Sequence, residues 1–248
     1  MANLLDQKSS IKVTRYSPAN RMPLHCDGED KVSFILAGSV RESSKYGEKA
    51  AFAGSMVTKP ADFGHENEVG GDGMTVLSLQ VHSCNSELEE SWRKLVSDYR
   101  WLGLHPSTKL MLSLWVEGIE ETESTIEELI FGLSSAKEQA RCPEWFRKVE
   151  GILSDQLIDP PSLIELAEEI AVHPVTLSRA FTSVGTSKSA MTHQIRMKRA
   201  LQKFGSNTPL NLIAADLGYS DASHFSRTFT RWFGMAPEAY RKTFCSSR

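Results

Sequence analysis

The chain repeats itself once, and that repeat limits what its C-terminal third can fold into. Residues 166–181, LAEEIAVHPVTLSRAF, return as residues 213–229, IAADLGYSDASHFSRTF. Each copy opens with apolar residues at helical spacing, passes through a short turn, and ends on an apolar residue, Ser, Arg, any residue and Phe. Leu166 matches Ile213 at an offset of 47, whereas Leu177, Ser178, Arg179 and Phe181 match Phe225, Ser226, Arg227 and Phe229 at 48. One additional residue in the second turn accounts for the difference. Two helix-turn-helix units fit this period, and a longer solenoid unit does not.

Capping residues support the boundaries. Ser162 and Glu165 have the spacing of a capping box before the first copy, and Pro161 closes the incoming loop. Thr208 and Pro209 read as an N-cap and first helical residue before the second. Pro174 and Asp221 stand near the starts of the two second helices, and Gly218 sits where the chain must turn sharply. Leu177, Phe181, Phe225 and Phe229 read as core. Arg179 and Arg227 follow core positions and should project outward, where a guanidinium suits either guanine readout or phosphate pairing. Between the copies, KSAMTHQIRMKRALQKF can run as one helix of about 17 residues, roughly 25 Å long. Such a strut could hold two helices in successive major grooves about 34 Å apart. Its basic residues, Arg196, Lys198, Arg199 and Lys203, fit either a solvated face or phosphate contact.

Charge is divided along the same line. Residues 1–172 hold 17 basic against 28 acidic residues, a net of -11, while residues 173–248 hold 11 against 3, a net of +8. A basic segment on an acidic body suits a polyanion partner for that segment only.

The region from about 150 to 243 resembles the DNA-binding domain of AraC-type transcriptional regulators. The resemblance is carried by SLIELAEEIAVHPVTLSRAF, by IRMKRALQ, and most specifically by IAADLGYSDASHFSRTFTRWFGMAPEAYR. It implies two helix-turn-helix subdomains joined by a helix, each placing a recognition helix in the major groove of double-stranded promoter DNA. Carried over by position, the base-facing candidates are Val175, Ser178 and Arg179, then Ala222, Ser223 and Arg227. Arg196, Arg199 and Arg231 are candidates for phosphate contact. The first copy departs from the pattern: Phe181 is followed by Gly185 one residue earlier than usual, with Lys188 and Met191 where proline and an aromatic are common. Its recognition helix is expected to end early or lean differently.

The first eighty residues read as β, with apolar stretches such as KVSFILAGSV and GMTVLSLQV separated by turn-rich segments. They are similar to a cupin-type sensor barrel. Gly54, Pro60, His65 and Asn67 follow the second cupin motif, and His25-Cys26-Asp27 stands where the first has two histidines. With Asp27 replacing a histidine and no carboxylate at the motif's glutamate position, which falls at Lys31 or Val32, the metal ligand set is incomplete. His25, Asp27 and His65 are therefore read as a possible effector pocket, with no metal or cofactor expected. From Ser86 the period becomes helical: Leu88, Trp92, Leu95, Val96 and Tyr99, then KLMLSLWVEGI, then Ile126, Leu129, Ile130 and Leu133. The last helix suits internal packing or dimerisation equally.

The fold expected is α+β: a cupin-like β-barrel with flanking helices, then an all-α unit of two helix-turn-helix subdomains joined by a linker helix. The boundaries expected are 1–140 for sensing and dimerisation, 141–160 for a linker and entry helix, and 161–248 for DNA binding. The expected partners are promoter DNA, RNA polymerase, a small-molecule effector and a second copy of the chain. The scattered Cys26, Cys84, Cys142 and Cys245, the absence of a signal-peptide pattern and the lack of an apolar run of roughly 18 residues suit a reduced cytoplasm. Two other classes stay open: a cupin metalloenzyme, against which the incomplete ligand set and the absence of nucleophile-elbow, P-loop and HExxH patterns count, and a regulator that acts through protein contacts alone.

Overall fold

Strand β3, Lys31–Ser44, is buried on both sides over residues 32–37, which is why that stretch is largely apolar without alternation. Val32, Phe34 and Leu36 point into the main core with Leu77 and Leu79, while Ile35 and Val40 point the other way into a smaller core with Val69, Met74 and Val76. The computed structural model describes residues 9–82, 86–117, 123–135, 143–206 and 208–245. β3 is flanked by the longest strand, β6 (His65–Val81). The other strands are β1 (Ser9–Tyr16), β2 (Arg21–His25), β4 (Gly47–Phe52), β5 (Met56–Lys59) and β7 (Arg100–Leu102). All pairings are antiparallel. The main order is β1-β6-β3-β5-β7, with β2 also on β6 and β4 also on β3. Among the described residues the ladder is thus a main path from β1 to β7 with two side branches, β2 and β4.

Both long strands change register between Ile35 and Ala37 and again between Gly38 and Val40. Such bulges bend a strand, and here each long strand pairs with one neighbour before the bend and another after it. Gly38 is required there. Its φ is +76°, and a Cβ would lie 1.9 Å from the Gly73 carbonyl oxygen.

Helices α1 (Ser86–Val96), α2 (Thr108–Glu117) and α3 (Glu123–Ser135) follow. Of the apolar sets read from the sequence, Leu88, Trp92, Leu95, Val96, Met111, Leu112, Leu114, Ile126, Leu129, Ile130 and Leu133 are buried, whereas Val116 is exposed, and α1 packs on α3. Tyr99 is an exception to its expected place. It lies beyond α1, because its hydroxyl is taken by buried Glu42 of β3 at 2.6 Å. The expected boundary near residue 140, Cys84 and Cys142 fall outside the described residues; Cys26 and Cys245 are free thiols.

The C-terminal helices are α4 (Phe146–Asp155), α5 (Leu163–Glu169), α6 (Pro174–Ser183), α7 (Lys188–Lys203), α8 (Leu210–Asp216), α9 (Ala222–Phe233) and α10 (Pro237–Tyr240), which runs into a π-helical turn at Arg241–Cys245. Their core is continuous with that of the sheet. Tyr240 Oη donates to the Leu36 carbonyl at 3.0 Å, Thr75 Oγ1 to the Phe244 carbonyl at 3.0 Å, and Arg15 Nη2 to the Thr243 carbonyl at 2.7 Å. No described helix is long and apolar enough to cross a membrane.

Candidate nucleic-acid interface

Two helix pairs, α5 with α6 and α8 with α9, occupy the two copies of the repeat. In each, the apolar stripe of the second helix is buried: Leu177, Ala180 and Phe181 in α6, and Phe225, Phe229 and Phe233 in α9. Burial of each large side chain contributes roughly 1.5–3 kcal/mol, which fixes each helix's rotation about its axis. The opposite face is thereby set toward solvent.

Local chemistry fixes where each helix begins. The capping box of α5 is made: Ser162 Oγ accepts from Glu165 N–H at 3.2 Å, and Glu165 Oε2 accepts from Ser162 N–H at 2.7 Å. Pro174 is the first residue of α6, whose N-cap is His173. Asp221 caps α9, accepting from His224 N–H at 2.7 Å, and this bond holds its carboxyl below the usual range. The expected Thr208 cap is displaced by one residue. α8 starts after Pro209 with no side-chain cap, and the Thr208 hydroxyl pairs with Ser206 at 2.8 Å instead.

The turns differ as the repeat predicts, and in one way it does not. Gly218 has φ +73°, and the matching residue at offset 47, Ala171, adopts φ +56°. An L residue in that region is strained, so the first turn stores what the second relieves. Comparing the two copies position by position would have found this. Helix α6 has 10 residues against 12 for α9, which ends at Gly234 in the left-handed region.

Val175, Ser178 and Arg179 are exposed on α6; Ser223 and Arg227 are exposed on α9, and Ala222 is half-buried. Arg231 is exposed in the last turn of α9. Thr176 and His224, not singled out from the sequence, are exposed on the same helices. Arg196 and Arg199 are placed otherwise: both are half-buried on α7 and donate to protein, Arg196 to the Leu157 carbonyl at 2.7 Å and Arg199 to Ser154 Oγ at 2.8 Å.

At the sheet, His25, Asp27 and His65 do come together, their ligand atoms lying within 4.8 Å of one another. The two imidazole rings are 4.3 Å apart, and His65 Nε2 is 3.8 Å from Asp27 Oδ2. Five further residues complete the cluster. Lys31 pairs with Asp27, Lys59 pairs with Glu42, and Tyr99 donates to Glu42 while accepting from Trp101 Nε1 at 2.6 Å. Burial lowers the Lys59 pKa and raises that of Tyr99. The His–Asp–His set could converge on one ion, but two ammonium groups already balance the two carboxylates. Asp27 Oδ2 is buried without a hydrogen bond. Glu42 and Lys59 carried no sequence signal, because neither the polar end of the fourteen-residue β3 nor the wholly buried, four-residue β5 marks a charged residue as facing inward.

A family profile described as a helix-turn-helix domain matches residues 166–243. The ornithine utilization regulator of Pseudomonas aeruginosa is 35% identical over 169 residues, 66% of this chain and 45% of that protein. The HTH-type transcriptional regulator GadX of Escherichia coli is 27% identical over 174 residues, 67% of this chain and 60% of that one. The chain therefore spans less than two thirds of either relative's length. Among solved structures, ToxT from Vibrio cholerae aligns over 97% of this chain and 100% of its own, at 14% identity and a TM-score of 0.43.

Proposed function

We infer that this chain, whose residues 166–243 are a helix-turn-helix domain of the AraC type, is a sequence-specific DNA-binding transcriptional regulator and not an enzyme. One observation carries the reading: two helix pairs related by an internal repeat each hold an exposed arginine, Arg179 or Arg227, at the same position beside a buried stripe. In this reading residues 161–248 are two helix-turn-helix subdomains, and α6 and α9 enter the major groove. Arg179 and Arg227 pair with guanine edges or phosphates, Val175 and Ala222 meet thymine methyls, Ser178 and Ser223 bond to base edges or the backbone, and Arg231 takes a phosphate.

Residues 1–140 act as a cupin-like sensor in which the His25–Asp27–His65 cluster answers to a small molecule. Residues 141–160 form the linker, α1 and α3 provide self-association, and RNA polymerase in the cytoplasm is the downstream partner. The test is selection of genomic fragments by the purified chain, followed by Arg227→Ala on the selected operator. Loss of about 1–3 kcal/mol and relaxed preference at one base pair are expected. If no sequence is enriched, or Arg227→Ala keeps both affinity and preference, the reading fails.

A further inference from the structure

The basic residues of α7 look from the sequence like a track for phosphates, but the fold pairs three of them with protein groups. Arg196, Arg199 and Lys203 are three and four residues apart and so share one face of the helix. Each is taken up by protein. Arg199 Nη2 donates to Ser154 Oγ of α4, and Lys203 Nζ donates to Asp216 Oδ2 of α8 at 2.9 Å.

Arg196 is the hub. Its Nη2 donates to the Leu157 carbonyl, just past the C-terminal end of α4, where a cation also meets the negative end of the helix dipole. Its guanidinium lies over the Tyr219 ring, 5.3 Å from the centroid, and Tyr219 is in the turn between α8 and α9. Gly218 closes the same joint. A Cβ there would lie 2.5 Å from the Leu157 carbonyl oxygen and 2.9 Å from Arg196 Nη2. On the far side, Phe146 of α4 packs edge-on against Phe181 of α6, ring centroids 5.1 Å apart. A continuous set of contacts therefore runs from α6 through α4 and Arg196 to the entrance of α9. A guanidinium suits the hub because it can stack flat on Tyr219 while donating from its edge, which an ammonium cannot do.

We propose that Arg196 is a positioning residue that sets how α9 stands relative to α6, and thereby which separation of two half-sites on DNA the chain accepts. The proposal rests on the DNA-binding reading above. The test uses the full chain, its selected operator, and operators with one base pair inserted or removed between the half-sites. Arg196→Gln is expected to bind the native spacing about tenfold more weakly, the loss expected for a charge-assisted hydrogen bond. The altered spacings lose less, so the preference flattens, and Arg196→Lys falls between. Gly218→Ala, which changes no charge, is expected to flatten it too.

The salt dependence of binding should keep its slope in all three variants. A phosphate contact would instead make the slope shallower by about one in Arg196→Gln, and that result with spacing preference intact overturns the proposal. The unaltered chain gives an independent measurement. Phenylglyoxal should modify Arg227 in the free chain and spare it on DNA, whereas Arg196 should be spared in both. Arg196 reacting freely without DNA overturns the proposal even if the variants do not fold. If the unaltered chain enriches no sequence, the DNA-binding reading falls first and this proposal with it.

Discussion

Tyr240→Phe probes the joint between the sheet and the C-terminal helices with the least disturbance. Tyr240 is wholly buried, and its ring lies against Phe244, Phe229 and Phe233 with centroids 4.8, 5.4 and 5.5 Å away. Phenylalanine keeps those contacts and removes only the hydroxyl, which donates at 3.0 Å to the Leu36 carbonyl where β3 steps out of register. The loss comprises the net value of one hydrogen bond, about 0.5–1.5 kcal/mol, and part of the 1–3 kcal/mol cost of leaving a buried acceptor without that partner. We expect about 1–2 kcal/mol in total, equivalent to roughly 2–8 °C in Tm for a chain of this length. Urea unfolding followed by far-ultraviolet circular dichroism and by tryptophan fluorescence should show a lower midpoint and an unchanged slope. Because the core is continuous, both signals should move together. An unchanged midpoint would mean that the hydroxyl does as well with water. Separate transitions for the two signals would mean that the core does not unfold as one unit.

Two further substitutions follow from local geometry. Ala171→Gly should stabilise the chain by about 0.5–1 kcal/mol, since it relieves a left-handed alanine at φ +56° that costs about 1–2 kcal/mol and gives back part of that as glycine's backbone entropy; a lower Tm in a thermal melt would refute the strain argument. At His65, burial and then the Lys59 charge hold the folded imidazole below its ordinary 6.5. The unfolded chain therefore binds a proton that the folded chain resists, and the sign of linkage is that stability is full above about pH 6.5 and falls as the pH drops toward the folded value. His65→Asn should flatten stability against pH just below 6.5, and an unchanged slope there would show that His65 is not the group responsible.

What was legible in the sequence is what rests on period and on caps. Leu177, Phe181, Phe225 and Phe229 are core because a helix's buried stripe follows its spacing, and Ser162 and Glu165 cap because that motif is complete within four residues. The inward-facing Lys59 was illegible because β5 is buried throughout, where alternation carries no signal, and Glu42 because it is a charged residue on the inward side of a stretch whose neighbour Arg41 is charged and exposed. From the sequence, helical period places Arg196 beside Arg199 and Lys203, on a face that suits phosphate or solvent. Period cannot say which neighbour that face meets, since α4 and the α8–α9 turn approach it from distant parts of the chain. The continuity of the core from the sheet to α9 was illegible for the same reason, because Leu36 and Tyr240 are joined only by tertiary packing.

That distinction between charge counted and charge available gives a measurable number. Residues 173–248 contain 11 lysines and arginines. If every one neutralised a phosphate, the logarithm of affinity would fall with the logarithm of salt at a slope of about -10. Among the described residues of that segment, however, the exposed ones are Arg179, Arg227, Arg231 and Lys242, while those of α7 are half-buried against protein. Four phosphate contacts give a slope of about -3.6 for each chain bound, and fewer if an arginine reads a base instead. Titration of the selected operator across a series of potassium chloride concentrations, with stoichiometry fixed by light scattering, measures this directly. A slope near -3 to -4 per chain is what the fold requires. One steeper than about -7 would put the face of α7 on the DNA backbone, and neither the pairing of its basic residues with protein nor the positioning role of Arg196 could then stand.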